Sequence, residues 1–366
     1  MIETEAYVLQ KDSSILERKI IHFSDIGDDE VLALPVYGCF EANILHAVQK
    51  VPTNINEDRA EEEIVLGNTG VLYIQDRGRK VSAVEIGDFA IYFGNGISDA
   101  QGYPIKIAGY DAKGIMGNLA KKIKLKEEQV VKIPKNSQFS LKQWAAFSGR
   151  FISAYSNWRQ AYGCWKIQTF SERNPNGLSV FAYGGGVSYA ELLLAKKLGF
   201  NVYMTVSNEY REKYTRSSGI IPINRTTFKD FEKDFLSYIS RETHNEGASI
   251  FIDNLGGTFT KIALKGLGRN AVISSCGWKT GSLLPISRTI ECINRHIHVN
   301  THYANHQEAL DAINYAIAHN WMPIIDDVYT YCWEDIPQLI LDYQNSKIPS
   351  YFPIYEINRR DELAKL

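Results

Sequence analysis

The chain has 366 residues, of which 45% are apolar and 22% charged, with a formal net charge of -2. That balance is ordinary for a globular protein, leaves length for two domains and a large core, and excludes the charge asymmetry of a nucleic-acid or membrane-surface binder. Five cysteines, Cys39, Cys164, Cys276, Cys292 and Cys332, are odd in number and include no C-x-x-C pair, so neither a disulfide framework nor a four-cysteine zinc site fits.

The N-terminus, Met1-Ile-Glu-Thr-Glu5, lacks the charged-then-apolar pattern of a secretory signal, and the expected setting is a reducing cytoplasm. From residue 5 to about 130, short apolar strands alternate with Gly, Pro, Asn and Asp turns, as in Val31–Tyr37 and Gly87–Phe93, which predicts a β-rich domain. The basic run Lys121–Lys126 is balanced by Glu127 and Glu128 and reads as solvated surface. From about 138 the pattern turns helical, with Trp144 to Tyr162 apolar or aromatic on one face; Trp158 and Tyr162 read as core before they read as the wall of a substrate channel. Strand candidates at 178–183, 201–206, 249–253, 271–275 and 296–299 then alternate with helices. Amphipathic helices over His306–His319 and Trp333–Gln344 and a β-like run at Tyr351–Tyr355 close the pattern. The terminal Ala364-Lys-Leu366 is like the peroxisomal S-K-L address and reads as a chance ending. The expected fold is α/β, with a first domain at 1–150 completed by 305–366 and a doubly wound domain at 151–304. A cleft is expected at the carboxyl ends of the parallel strands.

Residues 178 to 211 carry the chemistry. The apolar strand Leu178–Tyr183 enters Gly184-Gly-Gly186-Val187-Ser188 and then a helix over Val187–Leu198, with Lys196 and Lys197 at its end and Gly199 placed to cap it. Glycines let a backbone approach a pyrophosphate, and the helix N-terminus offers N–H groups and partial positive charge. Gly184, Gly185, Gly186 and Val187 are therefore expected to cradle a dinucleotide. After the next strand, Ser207 stands where an NAD-binding protein places a carboxylate. With Asn208, Tyr210, Arg211 and Arg225 it makes the pocket neutral to basic, which favours NADPH, its 2′-phosphate held by Ser207, Arg211 and Arg225. Of His296, His298, His302 and His306, the first two are spaced to share one face of a strand, but no acidic or cysteine partner is close in sequence, so they read as structural.

These features resemble the medium-chain dehydrogenase/reductase superfamily over most of the chain. Gly185–Gly199 is similar to the G-G-V-G-x-A-x-x-x-A-K-x-x-G of quinone and enoyl reductases, Ile252-Asp-Asn-Leu-Gly-Gly257 to their D-x-V-G-G turn, and Ile86-Gly-Asp88 to the V-G-D before a strand. Val272–Gly277 is similar to the strand beside the nicotinamide, which adds Cys276 to the cofactor residues. The resemblance implies a GroES-like β-rich catalytic domain and a Rossmann nucleotide-binding domain.

Within the superfamily the likeness is to the crotonyl-CoA reductase/carboxylase branch. It rests on Gly109-Tyr-Asp111 with Gly117–Ala120 (W-G-F-E…G-G-L-A), on Asn300–Asn305 (G-S-H-F-A-N) and on Val206–Arg211 (V-S-S-x-x-K). Tyr110, Asp111 and His302 stand at that branch's carbon-dioxide-pocket positions and are the expected catalytic residues. Tyr110 and His302 would act as acids or position water, with Asp111 orienting the histidine. Asp111 in place of Glu, Phe40 in place of Asn, and Ala182 and Ser188 in place of glycines depart from the branch pattern, leaving reduction as the expectation rather than carboxylation. Zinc members of the superfamily use G-x-C and G-H-E. Here the corresponding places read Gly38-Cys39-Phe40, with the cysteine one residue early, and Gly67-Asn68-Thr69, without the histidine, so no metal is expected.

The implied activity is metal-free, NADPH-dependent hydride delivery to an activated C=C bond of an enoyl thioester or enone. Reduction of a dehydroamino acid, a carrier-bound alkene or a quinone, and a non-catalytic NADPH-binding relative, stay open. The expected partners are a small-molecule or thioester-bound substrate and further copies of the chain, through edge strands near 271–275 and 296–299, with neither nucleic acid nor membrane.

Overall fold

The computed structural model describes residues 1–52, 54–168, 174–277, 290 and 293–363; Cys292 and Ala364–Leu366 lie outside them. The chain divides into two compact units, Met1–Ile152 with Ala304–Leu366, and Ser153–Tyr303.

The first part runs through β1 (Ile2–Gln10), β2 (Leu16–Phe23), β3 (Glu30–Cys39), α1 (Ala42–Gln49), α2 (Ile55–Arg59), β4 (Glu63–Val65), β5 (Gly70–Arg77), β6 (Phe89–Tyr92), β7 (Asn95–Ser98), β8 (Pro104–Ile107), β9 (Ile123–Lys126), β10 (Val130–Lys132) and α3 (Leu141–Gln168). The second unit follows with β11 (Ser179–Ala182), α4 (Gly186–Lys197), β12 (Asn201–Val206), α5 (Glu209–Ser217), β13 (Ile221–Asn224), α6 (Phe231–Glu242), β14 (Ala248–Ile252), α7 (Thr258–Gly266), β15 (Leu267–Ser275) and β16 (His298–Thr301). The chain then returns with α8 (His306–His319), β17 (Thr330–Tyr331), α9 (Ile336–Gln344), β18 (Ile354–Glu356) and α10 (Arg360–Leu363).

The first unit holds a β2-β1-β4 sheet, a β7-β8 hairpin and a sheet ordered β10-β6-β5-β3-β18-β17, with β9 also pairing β3. Pro35 lies inside β3 next to an irregularity, the register with β5 shifting between Pro35 and Tyr37. The return segment is tied in by packed rings: Phe151 lies 4.7 Å from Trp321 and 5.9 Å from Phe352, with Trp144 and Phe147 alongside. Asn305 and Glu308 form the capping box that starts α8.

β18 then lies antiparallel to β3, pairing Tyr355 with Gly38. A Cβ at Gly38 would sit 2.1 Å from the Tyr355 ring, whose hydroxyl donates to Asn118 Oδ1 at 2.7 Å. Gly38→Ala is therefore expected to destabilise the protein by about 1–3 kcal/mol, the usual cost of overpacking a ring that cannot move aside. Urea unfolding measures this, and an unchanged midpoint would show that the ring yields.

The second unit is a six-stranded sheet ordered β13-β12-β11-β14-β15-β16, parallel throughout. The strand order reverses between β11 and β14, so the carboxyl end of β11 is a topological switch point. Phe181 and Tyr203 stack at 4.4 Å against Phe235, and Phe251 joins this core through Tyr183. Trp158 and Tyr162 stack on each other and meet Phe200 edge-on, a core role.

Two local expectations are corrected, and one strand stands outside the expected set. β13 is a strand although Pro222 interrupts its pattern, because it is the edge strand, where a missing donor is tolerated. β16 begins at His298, and His296 has a left-handed backbone (φ 53°), so the two histidines do not share a strand face. The helix expected from Trp333 opens as a 3-10 turn over Trp333–Asp335, with α9 proper starting at Ile336 and Pro337 in its first turn. Among the described residues, no helix is long and apolar enough to cross a membrane.

Candidate functional site

In the second unit the switch point is built as an anion site. The first intrahelical bond of α4 is from Tyr189 N–H to Gly185 O at 2.9 Å, which leaves the N–H groups of Gly186, Val187 and Ser188 without intrahelical partners. Gly185, the N-cap, has extended backbone and no capping side chain. A Cβ there would meet only Ser188 Oγ at 4.0 Å, so the space over the helix end is open. Gly184 is committed differently, since its N–H donates to Thr205 Oγ1 at 3.1 Å and fixes the turn against β12. At the other end of the helix Gly199 takes φ 96°, the capping role expected of it.

β12 and β13 pair Val206 with Asn224, so the following residues, Ser207 and Arg225, leave neighbouring strands at the same level. Arg225 is exposed. Asn208 caps α5, its Oδ1 accepting the N–H of Arg211 at 2.9 Å. The nearby carboxylates are paired, Glu209 with Lys213 at 2.7 Å and Glu212 with Arg216 at 3.0 Å.

The ends of α4, β14 and β15 are joined by Asn254, which donates to Ser188 Oγ at 3.1 Å and accepts from Cys276 N–H at 3.0 Å. The serine that replaces a family glycine is thereby tied to β14. Asp253, fully buried, accepts from the N–H groups of Leu255 and Gly256 and from the Thr260 hydroxyl, and so shapes the Gly256-Gly257 turn, where both glycines have positive φ. Burial raises the Cys276 thiol well above its ordinary value, and its carbonyl accepts from Tyr303 at 2.6 Å. His302 follows β16 directly and is half-buried.

In the first unit, the loop after β4 and the segment Gly109–Asn118 are stitched together by Gly67 N–H to Gly109 O at 3.0 Å and Asn118 N–H to Gly67 O at 2.8 Å. Tyr110 is buried here, and its hydroxyl has no hydrogen-bond partner among the described residues. Burial, then Asp111, pushes it up to about 12, so it remains a neutral donor. Asp111 Oδ1 accepts from Ile107 N–H at 2.6 Å, with Lys106 Nζ 3.7 Å from Oδ2. Arg59, paired with Glu61, donates to the carbonyl of Tyr110 at 3.0 Å. His306, by contrast, is structural, with Nε2 3.2 Å from Val130 O.

At the end of β3 stands a pair that sequence reading passed over. Arg150, on α3, reaches Cys39 Sγ at 2.6 Å, Phe40 O at 2.6 Å and Glu41 Oε1 at 3.0 Å. Burial pushes the Cys39 thiol up to about 12 and raises the Glu41 carboxyl, against the pull of Arg150. A guanidinium beside a protonated thiol is a poor donor set for zinc. Thr205, Asn254, Glu41 and Arg150 are long-range partners, with no local motif to mark them.

No family model matches the sequence. Over 91 residues, 25% of the chain, it is 31% identical to the highly reducing polyketide synthase PKS2 of Leptosphaeria maculans, and the match spans 4% of that protein's length. Among solved structures it is similar to the crotonyl-CoA carboxylase/reductase AntE in complex with NADP, with TM-score 0.81, 16% identity, and 98% of this chain and 95% of that one covered. It is also similar to the 2-octenoyl-CoA carboxylase reductase CinF in complex with NADP and 2-octenoyl-CoA, with TM-score 0.79, 16% identity and coverage of 97% and 87%. A third likeness is to an alcohol dehydrogenase of the archaeon Aeropyrum pernix, with TM-score 0.79, 18% identity and coverage of 96% and 100%. The chain therefore has the medium-chain dehydrogenase/reductase fold, a β-rich GroES-like unit with a Rossmann unit inserted in its sequence.

Proposed function

We propose that the protein is an NADPH-dependent oxidoreductase that reduces an activated C=C bond, in an enoyl thioester or an enone, without a metal. The observation that carries this reading is the open, glycine-lined start of α4 at the switch point, with Ser207 and Arg225, and no carboxylate, directly after β12 and β13. Gly185, Gly186 and Val187 would hold the diphosphate through the unpaired helix N–H groups, with Gly184 fixing the turn, and Cys276 would lie along the nicotinamide. Ser207, Arg211 and Arg225 would meet the 2′-phosphate.

Bound NADPH supplies the hydride. Addition at the β-carbon places negative charge on the substrate carbonyl oxygen, and a neutral hydroxyl without a partner among the described residues, such as that of Tyr110, is suited to donate to it. Tyr110, Asp111 and His302 are the proposed acid–base set that completes the α-carbon with a proton. A reducing, cytoplasmic setting and a homo-oligomer belong to the same proposal.

Fluorescence titration with NADPH and NADH, followed by NADPH oxidation with crotonyl-CoA, a free enone, a quinone and a dehydroalanine peptide, with and without bicarbonate, tests the reading. Turnover on the thioester or enone is the expected result. Tight NADPH binding with no oxidation on the whole panel would leave a binding protein, and bicarbonate-dependent mass gain would restore carboxylation. Arg225→Ala is expected to weaken NADPH by about tenfold or more, the loss of one charge-assisted bond, while leaving NADH unchanged. Equal effects on both nucleotides would remove Arg225 from the site.

A further inference from the structure

Four polar side chains meet inside the second unit where neither the fold nor the proposed chemistry requires them. Asn157 of α3, Glu191 of α4 and Ser274 of β15 are fully buried, and Asn300 of β16 is half-buried. The Asn157 amide donates one N–H to Glu191 Oε1 at 2.5 Å and the other to Ser274 Oγ at 2.9 Å. Its carbonyl accepts from Asn300 Nδ2 at 3.1 Å, and Asn300 also approaches Ser274 Oγ at 3.3 Å. With both N–H groups and its carbonyl oxygen engaged, the Asn157 amide is held in one orientation.

The cluster has a direction. Glu191 lies five residues into the helix whose first N–H groups form the anion site. Ser274 stands two residues before Cys276 and Asn300 two residues before His302. One network thus ties the nucleotide-binding helix to the ends of two strands that carry proposed site residues.

The second oxygen of Glu191 is buried and has no partner among the described residues. The groups recorded around this carboxyl are the Asn157 amide from α3, the Ser274 hydroxyl and the Cys276 thiol from β15 and its end, and, through Asn157, the Asn300 amide from β16; none brings a positive charge. A carboxylate there would be a buried charge with a single donor, whereas the un-ionised acid leaves only one neutral O–H without an acceptor among the described residues, the lesser cost.

We propose that Glu191, as an un-ionised carboxyl, is the positioning residue that locks the glycine turn of α4 to the ends of β15 and β16, and that losing its proton weakens NADPH binding. The inference rests on the nucleotide site of the proposed function. Burial pushes the Glu191 carboxyl up to about 8, with the Asn157 bond opposing, so the group is un-ionised at neutral pH and becomes a buried charge, with no cation beside it, in mild alkali. The folded protein retains this proton between about pH 4.5 and 8 while the unfolded chain has lost it, so stability falls with rising pH across that window and the penalty is complete above it.

The test follows NADPH affinity by fluorescence and the thermal midpoint of the ligand-free protein from neutral pH into alkali, in wild type and in Glu191→Gln, which mimics the neutral acid. Wild-type affinity is expected to drop by about tenfold per pH unit beyond the Glu191 transition, one proton being linked, and the Gln variant to keep the neutral-pH affinity throughout. The midpoint of the ligand-free wild type should fall relative to that of the variant up to about pH 8 and run parallel to it beyond. A flat wild-type affinity, or a variant that follows the wild-type curve, overturns the proposal, and the wild-type curve suffices if the variant does not fold. Absence of NADPH binding at every pH would overturn the functional reading and this coupling with it, while the two ligand-free midpoints still decide whether Glu191 is the titrating group.

Discussion

Gly185→Asp is expected to abolish nucleotide binding in a protein that stays folded. Gly185 has extended backbone open to any residue, and a Cβ there meets nothing closer than Ser188 Oγ at 4.0 Å. A carboxylate at a helix N-terminus is itself favourable, so stability should change by no more than about 0.5 kcal/mol, the usual range at an open position. The same carboxylate would occupy the free N–H groups of Gly186 and Val187 and repel a diphosphate. Losing two charge-assisted bonds at about 1.5–3 kcal/mol each weakens NADPH by more than about a hundredfold. Calorimetric titration beside a thermal melt checks both halves, and wild-type affinity in the variant would remove the helix start from the binding site.

The second large effect is expected in the other unit. Arg150→Met removes the guanidinium that reaches Cys39, the Phe40 carbonyl and Glu41 while keeping much of its apolar volume. Taking one partner from a buried pair costs about 3–5 kcal/mol, because the remaining group is left charged or unbonded. The unfolding transition should fall accordingly, and adding Glu41→Gln should recover part of the loss, since an amide tolerates the vacated place better than a carboxylate does. Additive losses in the double variant would mean that the two side chains do not act as a pair.

The contrast between the two sites explains what the amino-acid order reveals. The β11–α4 turn is legible because strand, glycines, helix and capping Gly199 lie within a few residues of one another and each follows a local rule. The switch point follows from such units in series. The Arg150 pair and the Asn157 cluster join residues at least 26 positions apart, so periodicity does not announce them. Glu191 left one trace, an acid four residues after Val187 and three before Leu194, on the buried face of its helix, where a charge is out of place. Tyr110 and Asp111 came forward through family likeness alone, and the structure adds what likeness does not carry: a hydroxyl without a partner among the described residues and a carboxylate bonded into its own loop.

The pairing of β18 with β3 also bears on how the chain is made. Residues 153–303 form a contiguous unit that can finish folding as soon as they leave the ribosome. The unit containing residue 1 cannot, because the Tyr37–Cys39 end of β3 waits for Ile354–Glu356, which follow it by more than 300 positions. Until they emerge, that strand exposes an unpaired edge and Gly38 lacks its covering Tyr355 ring, so nascent chains halted before residue 354 should be the species that chaperones retain.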